Sequence, residues 1–551
     1  MTPGTNRFAW PHWFRAGLVL LILGCTDPTS TSKAPSGQDP DYPSQYHNHP
    51  WTIALIDSLE QRYPDIVQKR AYGRSVGGRT LIGVKISDNV RSDEAEPEIS
   101  FDGTTHGEEW SSSELVIRFM KELCESYGND SVLTHYVNTR EIFIYPFINP
   151  DGREVGRRFN DNGVDINRDY GYMWNGGGNS PAPWSQPESR SVWTWMNENH
   201  FMFSIHGHSG LEALYYPWGY KTDDAPDTWH FAYIMHEYFE SSGYLQLEIG
   251  SAFDSMYPTR GTFYDYSYGT RGTLAWLMEV SVIGIIWEPE LTHYYERNKP
   301  AYIKMLELAG RGIQGSVTDA VTGEPVPAIV WVSDDSEFWP IYNDGEVGDY
   351  EKFVKPGVYT VRASANGYGS QTASNVTVSG LGAAIQDFSL TAADGPTFGY
   401  RVEMAVLPDF NDADENMTPW ALGAPDNRSF SIDVDGWTVI DMGETLRTGP
   451  GTDLRIVEGD TTPEGFAVDV GMTLFGPMHE VGTGSGTSVF DLDSVGVSAY
   501  RYVRITDDGD GPSDVADAGF DLDAVEGYTD GNGPAPQPGA YGGCAPAGPR
   551  R

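Results

Sequence analysis

The chain has 551 residues, 39% hydrophobic and 13% aromatic, enough apolar mass for several packed domains and too much for a disordered polypeptide. Its formal charge is −42, and positions 401–530 hold 27 Asp and Glu against six Arg and no Lys, which argues against nucleic acid as a partner because phosphate binding needs clustered cations. Three cysteines cannot build a disulfide framework.

In chain order, Arg7 and Arg15 precede the apolar run 17–23, which ends in Gly24-Cys25. That run is too short for a bilayer, which takes about 20 residues, and it fits the apolar core of a signal peptide. Ile22-Leu23-Gly24-Cys25 resembles a bacterial lipobox, whose Cys is lipidated and becomes the mature N-terminus. The resemblance implies a lipoprotein-type signal peptide over 1–24, lipidation of Cys25, and export with a membrane anchor at the periplasmic or cell surface; without lipid the protein is secreted. Residues 25–45, rich in Pro, Ser and Thr, read as a flexible tether that leaves no room for a long inhibitory prosegment.

A helical pattern over 46–65 follows. Glu98-Ile99-Ser100-Phe101-Asp102-Gly103 then reads as a strand entering a loop, and Leu115, Val116, Phe119 and Leu123 give 113–127 the spacing of a helix, with Cys124 on its apolar stripe. Between them lies His106-Gly107-Glu108-Glu109. A His and a Glu three residues apart, joined by one distant His, make a three-ligand zinc site with an open fourth position. His206, in Ser204-Ile205-His206-Gly207, is the expected third ligand; His208 is assigned to the surroundings of the ion or to the surface. A lone His-x-x-Glu is weak evidence. Its neighbours strengthen it: Asn149-Pro150-Asp151-Gly152, then Gly163-Val164-Asp165-Ile166-Asn167-Arg168, then Ser185-Gln186-Pro187-Glu188, and later Leu277-Met278-Glu279.

With these motifs in this order, residues 46–310 resemble the zinc carboxypeptidase family of the carboxypeptidase A and B type. The resemblance implies an α/β catalytic domain with a mixed central sheet flanked by helices, and one catalytic Zn²⁺ on His106, Glu109 and His206. It implies Glu279 as general base and Arg158 as the group that polarises the scissile carbonyl, with Arg157 as runner-up. It also implies Asn167 and Arg168 as holders of a free C-terminal carboxylate and Tyr257 as a mobile cap. The chemistry is coherent: neutral imidazoles and one carboxylate let zinc acidify water, a carboxylate beside the ion can shuttle the proton, and a planar Arg pairs with a carboxylate. Tyr264 aligns with the specificity-pocket position at which basic-specific relatives carry Asp, which argues against a Lys or Arg preference. Glu108 stands where pancreatic-type members tend to carry Arg, so anionic peptides are expected to be poorer substrates.

Past a helix pattern over 295–308 the periodicity becomes alternating. Segments 313–319, 326–332 and 359–363 read as strands, and residues 311–393 resemble the transthyretin-like, carboxypeptidase-regulatory sandwich. Residues 394–530 carry further short strands, among them 437–440, 453–457 and 500–505. This second all-β sandwich is similar to galactose-binding modules, so a carbohydrate is a candidate ligand. Asp507-Asp508-Gly509-Asp510 and Asp521-Leu522-Asp523 are oxygen-rich, which makes Ca²⁺ a candidate there. Residues 531–551, including Cys544, read as a disordered Pro/Gly-rich tail.

The expected activity is hydrolysis of the last peptide bond of peptides or proteins outside the cytoplasm. The alternatives are a related zinc amidase acting on peptidoglycan stem peptides, and a non-catalytic surface binding protein. The lipobox resemblance is directly testable. Cys25→Ala should move the protein from the membrane to the soluble fraction and abolish incorporation of radiolabelled palmitate; unchanged fractionation and labelling would rule out the anchor.

Overall fold

The computed structural model describes residues 46–380, 382–408, 417–459, 463–509 and 519–534. The expected signal peptide, Cys25, the tether, Asp510 and Cys544 lie outside these residues.

The first unit is built on eight strands: β1 (Val67–Arg74), β2 (Thr80–Ile86), β3 (Glu98–Asp102), β4 (Glu141–Tyr145), β5 (Phe203–His208), β6 (Glu212–Tyr216), β7 (Glu248–Ser251) and β8 (Leu274–Val280). Their order is β1-β2-β4-β3-β5-β8-β6-β7. The central pairs β4/β3, β3/β5 and β5/β8 are parallel, while β1/β2, β2/β4 and β6/β8 are antiparallel, so the sheet is mixed, as expected. Every residue of β3, β4, β5 and β8 is buried, so these strands read as short runs without alternation.

The helix after β3 is Trp110–Ser126 and buries Leu115, Val116, Phe119, Met120, Leu123 and Cys124, the stripe its spacing predicts. It begins three residues before the expected start because Ser112 and Ser113 close its first turn, donating to the carbonyls of Glu109 and Trp110. Cys124 is a free buried thiol that burial pushes up to about 12, a core group rather than a nucleophile. The first helix, His49–Arg62, is shorter than the expected 46–65; Asn48 caps it and Pro50 occupies its first turn.

Two further units are all β. In 311–390, Gly312–Asp319 and Gly357–Ser364 cover two of the expected strands, the third runs over Ile329–Ser333 rather than 326–332, and all belong to two four-stranded sheets around an apolar core. From 397 onward there are two five-stranded sheets, which include Trp437–Arg447, Leu454–Glu458 and Ala499–Asp507. The apolar interior of this last unit runs without a break into that of the first. Its acidity is spent partly on turns: Asp507 accepts the backbone N–H of Asp435 and Gly509, and Asp523 those of Asp426 and Asn427. Among the described residues no helix is long and apolar enough to cross a membrane.

Asp227, fully buried, holds the middle unit to the first. Its carboxylate accepts from His230 Nδ1 (3.0 Å), Tyr268 Oη (2.8 Å), the Trp339 backbone N–H (3.0 Å) and Lys352 Nζ (2.9 Å). Lys352 is 1% exposed, so removing its partner strands a buried cation. Asp227→Ala should therefore lower unfolding free energy in urea by about 3–5 kcal/mol, whereas Lys304→Ala, which breaks a partly exposed pair with Glu307, should cost under about 1 kcal/mol.

Candidate metal centre

Four loops and strand ends meet at the carboxyl edge of the central strands, a usual place for chemistry in an open α/β sheet. His106 and Glu109 stand in the turn between β3 and the Trp110–Ser126 helix, with Glu109 at the helix N-cap. Gly107 allows this turn to touch the next one: an added Cβ would lie 2.1 Å from the Gly152 carbonyl carbon and 2.2 Å from the Arg157 oxygen. The Gly107 N–H is thereby brought to the Arg158 carbonyl (3.3 Å).

His106, Glu109 and His208 each offer a donor atom, all within 4.8 Å of one another. His106 Nδ1 lies 2.8 Å from Glu109 Oε1, and His208 Nδ1 lies 2.9 Å from Glu109 Oε2. The structure thus corrects the expected third ligand from His206 to His208. Both sit on β5 and, two residues apart, face the same side. His206 pairs in register with Asp102, one rung below the edge, and both its ring nitrogens are engaged there, Nδ1 with Asp102 Oδ1 (2.6 Å) and Nε2 with Thr105 Oγ1 (3.2 Å). His208 is one rung further, level with Glu279 of β8.

The outer nitrogens of the donor histidines are also held. His106 Nε2 meets Asp165 Oδ1 at 3.1 Å, and His208 Nε2 lies 3.5 Å from Asn167 Nδ2. Asp165 had no role assigned from sequence, although it stands inside the Gly163–Arg168 motif; its second oxygen accepts from Arg158 Nε (2.9 Å). A carboxylate behind a ligating imidazole fixes its orientation and tautomer.

The electrostatics of the protein alone call a cation to this point. Burial opposes a charge on His106, but Glu109 and then Asp165 outweigh it and push His106 up to about 9. The same two carboxylates are held well below their ordinary range against the pull of burial, Glu109 chiefly by His106 and His208, Asp165 chiefly by His106 and Arg158. Burial takes His208 the other way, down to about 3 despite Glu109, so its imidazole is neutral. Two imidazoles and one carboxylate with their outer atoms anchored are a donor set that suits zinc.

The other expected residues surround this trio. Glu279 is the penultimate residue of β8, is 9% exposed, and its Oε2 is buried with no hydrogen-bond partner; burial, then the Glu109 charge, push it up to about 8. Arg158 faces Asp165, whereas Arg157 is 53% exposed and pairs with Asp161, which decides between the two arginines by position. Asn167 is buried and accepts the Phe263 N–H on Oδ1 (2.9 Å). Arg168 donates to the Asn167 carbonyl (2.7 Å) and reaches Tyr257 Oη at 3.5 Å; Tyr257 is 50% exposed. Tyr264 is fully buried with its hydroxyl on Thr259 Oγ1 (2.7 Å), and Asp265 beside it accepts the Gly219 N–H (3.0 Å) and is pushed up to about 7 by burial.

A family model described as zinc carboxypeptidase matches residues 52–301. The chain is 28% identical over 399 residues to human carboxypeptidase D, covering 66% of this chain and 28% of that protein. To the carboxypeptidase N catalytic chain of the mouse it is 27% identical over 404 residues, covering 64% of this chain and 86% of the relative. Among solved structures, thrombin activatable fibrinolysis inhibitor superposes with a TM-score of 0.44 at 20% identity, covering 47% of this chain and 73% of that one.

The corrected donor set predicts that His208→Ala loses high-affinity zinc in a calorimetric titration while His206→Ala keeps it. With His106 protonated up to about pH 9 and Glu109 and His208 already deprotonated, binding should release one proton at neutral pH. Affinity should then fall about tenfold for each pH unit below 9. Titration in buffers of different ionisation enthalpy counts that proton, and a count of zero would contradict the assignment.

Proposed function

We propose, from the match of residues 52–301 to a family model described as zinc carboxypeptidase, that the chain hydrolyses the C-terminal peptide bond of peptides or proteins outside the cytoplasm. The observation that carries this is a buried carboxylate, Glu279, whose Oε2 has no hydrogen-bond partner, one strand away from three converging metal donors. His106, Glu109 and His208 would hold the zinc, which when bound acidifies a water and polarises a carbonyl.

Each remaining side chain has work that its position supports. Glu279 Oε2, free of other bonds, takes the proton of the attacking water and returns it to the leaving amine. Its raised proton affinity suits that return, and a cation beside Glu109 offsets the part of the shift that Glu109 causes. Arg158, braced by Asp165, donates to the oxygen of the scissile carbonyl as charge builds there. Asn167 and Arg168 hold the terminal carboxylate, which makes an internal bond a poor substrate because it would leave Arg168 without its anion. Tyr257, exposed and within reach of Arg168, closes over the bound residue. Tyr264 lies behind this wall and bounds the side-chain pocket from inside. The middle β unit stiffens the catalytic unit through Asp227.

Purified, zinc-loaded protein should shorten peptides by one residue at a time from a free C-terminus and leave C-terminal amides intact. Glu279→Gln should keep its zinc and lose about 10²–10⁴ in kcat, the usual worth of a general base. Mass spectrometry of the products gives the answer: internal cuts, or wild-type rates in the variant, would reject the proposal.

A further inference from the structure

We propose that the acidic C-terminal unit is part of the substrate site, its Ala405 rung setting the segment behind Arg168 and Arg260 being the positioning residue through which it sets Tyr257. This rests on the reading of Arg168 as the holder of the terminal carboxylate.

Arg168 and Tyr257 lie on two separate segments that need outside support. Between the helices Pro150–Val155 and Pro187–Asn197 the chain from 156 to 186 contains only two 3₁₀ turns, a long irregular stretch of the kind that a compact domain keeps for function. It crosses the Tyr257 segment closely. The Tyr170 N–H donates to the Gly261 carbonyl (3.1 Å) and the Phe263 N–H to Asn167 Oδ1 (2.9 Å). Gly261 makes the crossing possible: its φ is +64°, and a Cβ there would sit 2.8 Å from the Arg168 carbonyl oxygen.

One strand of the C-terminal unit, Arg401–Val406, grips both segments. Three residues past Arg168, the Gly171 carbonyl accepts the Ala405 N–H (3.1 Å), and the Met173 N–H donates to the Ala405 carbonyl (2.6 Å), so Tyr172 and Ala405 form a parallel β-bridge. Three residues past Tyr257, Arg260 Nη1 donates to the Leu407 carbonyl (3.0 Å), just beyond the same strand. The strand is itself anchored in the catalytic unit. Glu403, fully buried, accepts from Arg271 Nη2 (3.0 Å), Trp193 Nε1 (3.0 Å) and Arg401 Nε (2.8 Å), and Arg401 reaches Asn197 Oδ1 (2.8 Å). Phe475 adds ring contacts to Trp184 and Trp193. With the apolar interior continuous between the two units, this strand is a fixed rail. The Ala405 rung sets the segment behind Arg168, and Arg260 sets the one behind Tyr257. Loss of the Arg260 bond to Leu407 removes the strand's hold on the Tyr257 segment while the metal donors, on other elements, stay in place.

The test uses the full chain in a Glu279→Gln background, so that bound peptides persist. Calorimetry measures N-acetyl-Gly-Gly-Phe and N-acetyl-Gly-Gly-Arg, each beside its C-terminal amide. Arg260→Ala should weaken the free acids about tenfold, the scale expected for small misplacement of a positioned group, with amide binding, zinc stoichiometry and melting temperature unchanged. Arg260→Lys, which can still donate to Leu407, should recover part of the loss. In the active protein the same change should raise KM and spare kcat. Equal weakening of acid and amide, or loss of affinity only in step with loss of melting temperature, would reduce Arg260 to a structural bond and overturn the proposal; so would unchanged binding of the acids. No preference for acid over amide with Arg260 in place would overturn the carboxylate reading of Arg168 instead, which separates the two failures.

Discussion

The Glu109 carboxylate between two imidazole Nδ1 atoms is the contact on which the site depends. It brings negative charge into a fully buried place, and burial alone would make that charge untenable. What makes it tenable is a cation: a proton on His106 in the bare protein, or a divalent ion among the three donors. The same carboxylate raises the proton affinity of Glu279 from the neighbouring strand. One side chain therefore draws in the ion and tunes the proposed base.

Around that centre, oriented carboxylates do much of the holding. Asp165 fixes His106 on one oxygen and Arg158 on the other, so the metal turn and the proposed carbonyl-polarising arginine share one brace. Asp227 plays a similar part far from the site, gathering a lysine, a histidine, a tyrosine hydroxyl and a backbone N–H across the seam between the first two units. Glu403 does so at the seam with the third. Each of these acids is buried and fully engaged, which gives geometry rather than net stability: replacing such a group with an apolar one can cost little, whereas removing one partner costs a great deal. Both seams have an apolar part: the middle unit has a core of its own but also sends Ile329, Trp331, Trp339, Tyr342 and Phe353 into the interior that the first and third units share.

The elements that sequence placed best were those whose side chains obey one period. The Trp110–Ser126 stripe, the buried run of β8 ending in Glu279, and the alternating strands after 311 were all visible as patterns of apolar residues. The errors came where a period leaves a choice. His206 and His208 share one face of one strand, so no periodicity distinguishes them; the choice belongs to β3, which ends its pairing at Asp102 and leaves His208 alone at the edge. Asp165 was quoted inside a motif yet received no role, because its partner His106 is 59 residues away and only the closed fold makes them neighbours.

By itself the sequence determined the class of the catalytic unit, the His-x-x-Glu pair, the glutamate at the end of a buried strand and the presence of two all-β units after it, since each depends on composition or spacing within a few residues. Only the tertiary structure showed which histidine lies with His106 and Glu109, which of two adjacent arginines pairs with Asp165, and that a strand of the acidic C-terminal unit bonds to the segments that follow Arg168 and Tyr257. These are contacts between residues tens to hundreds of positions apart, and their energies depend on burial and on strand register, neither of which exists until the chain has closed around its core.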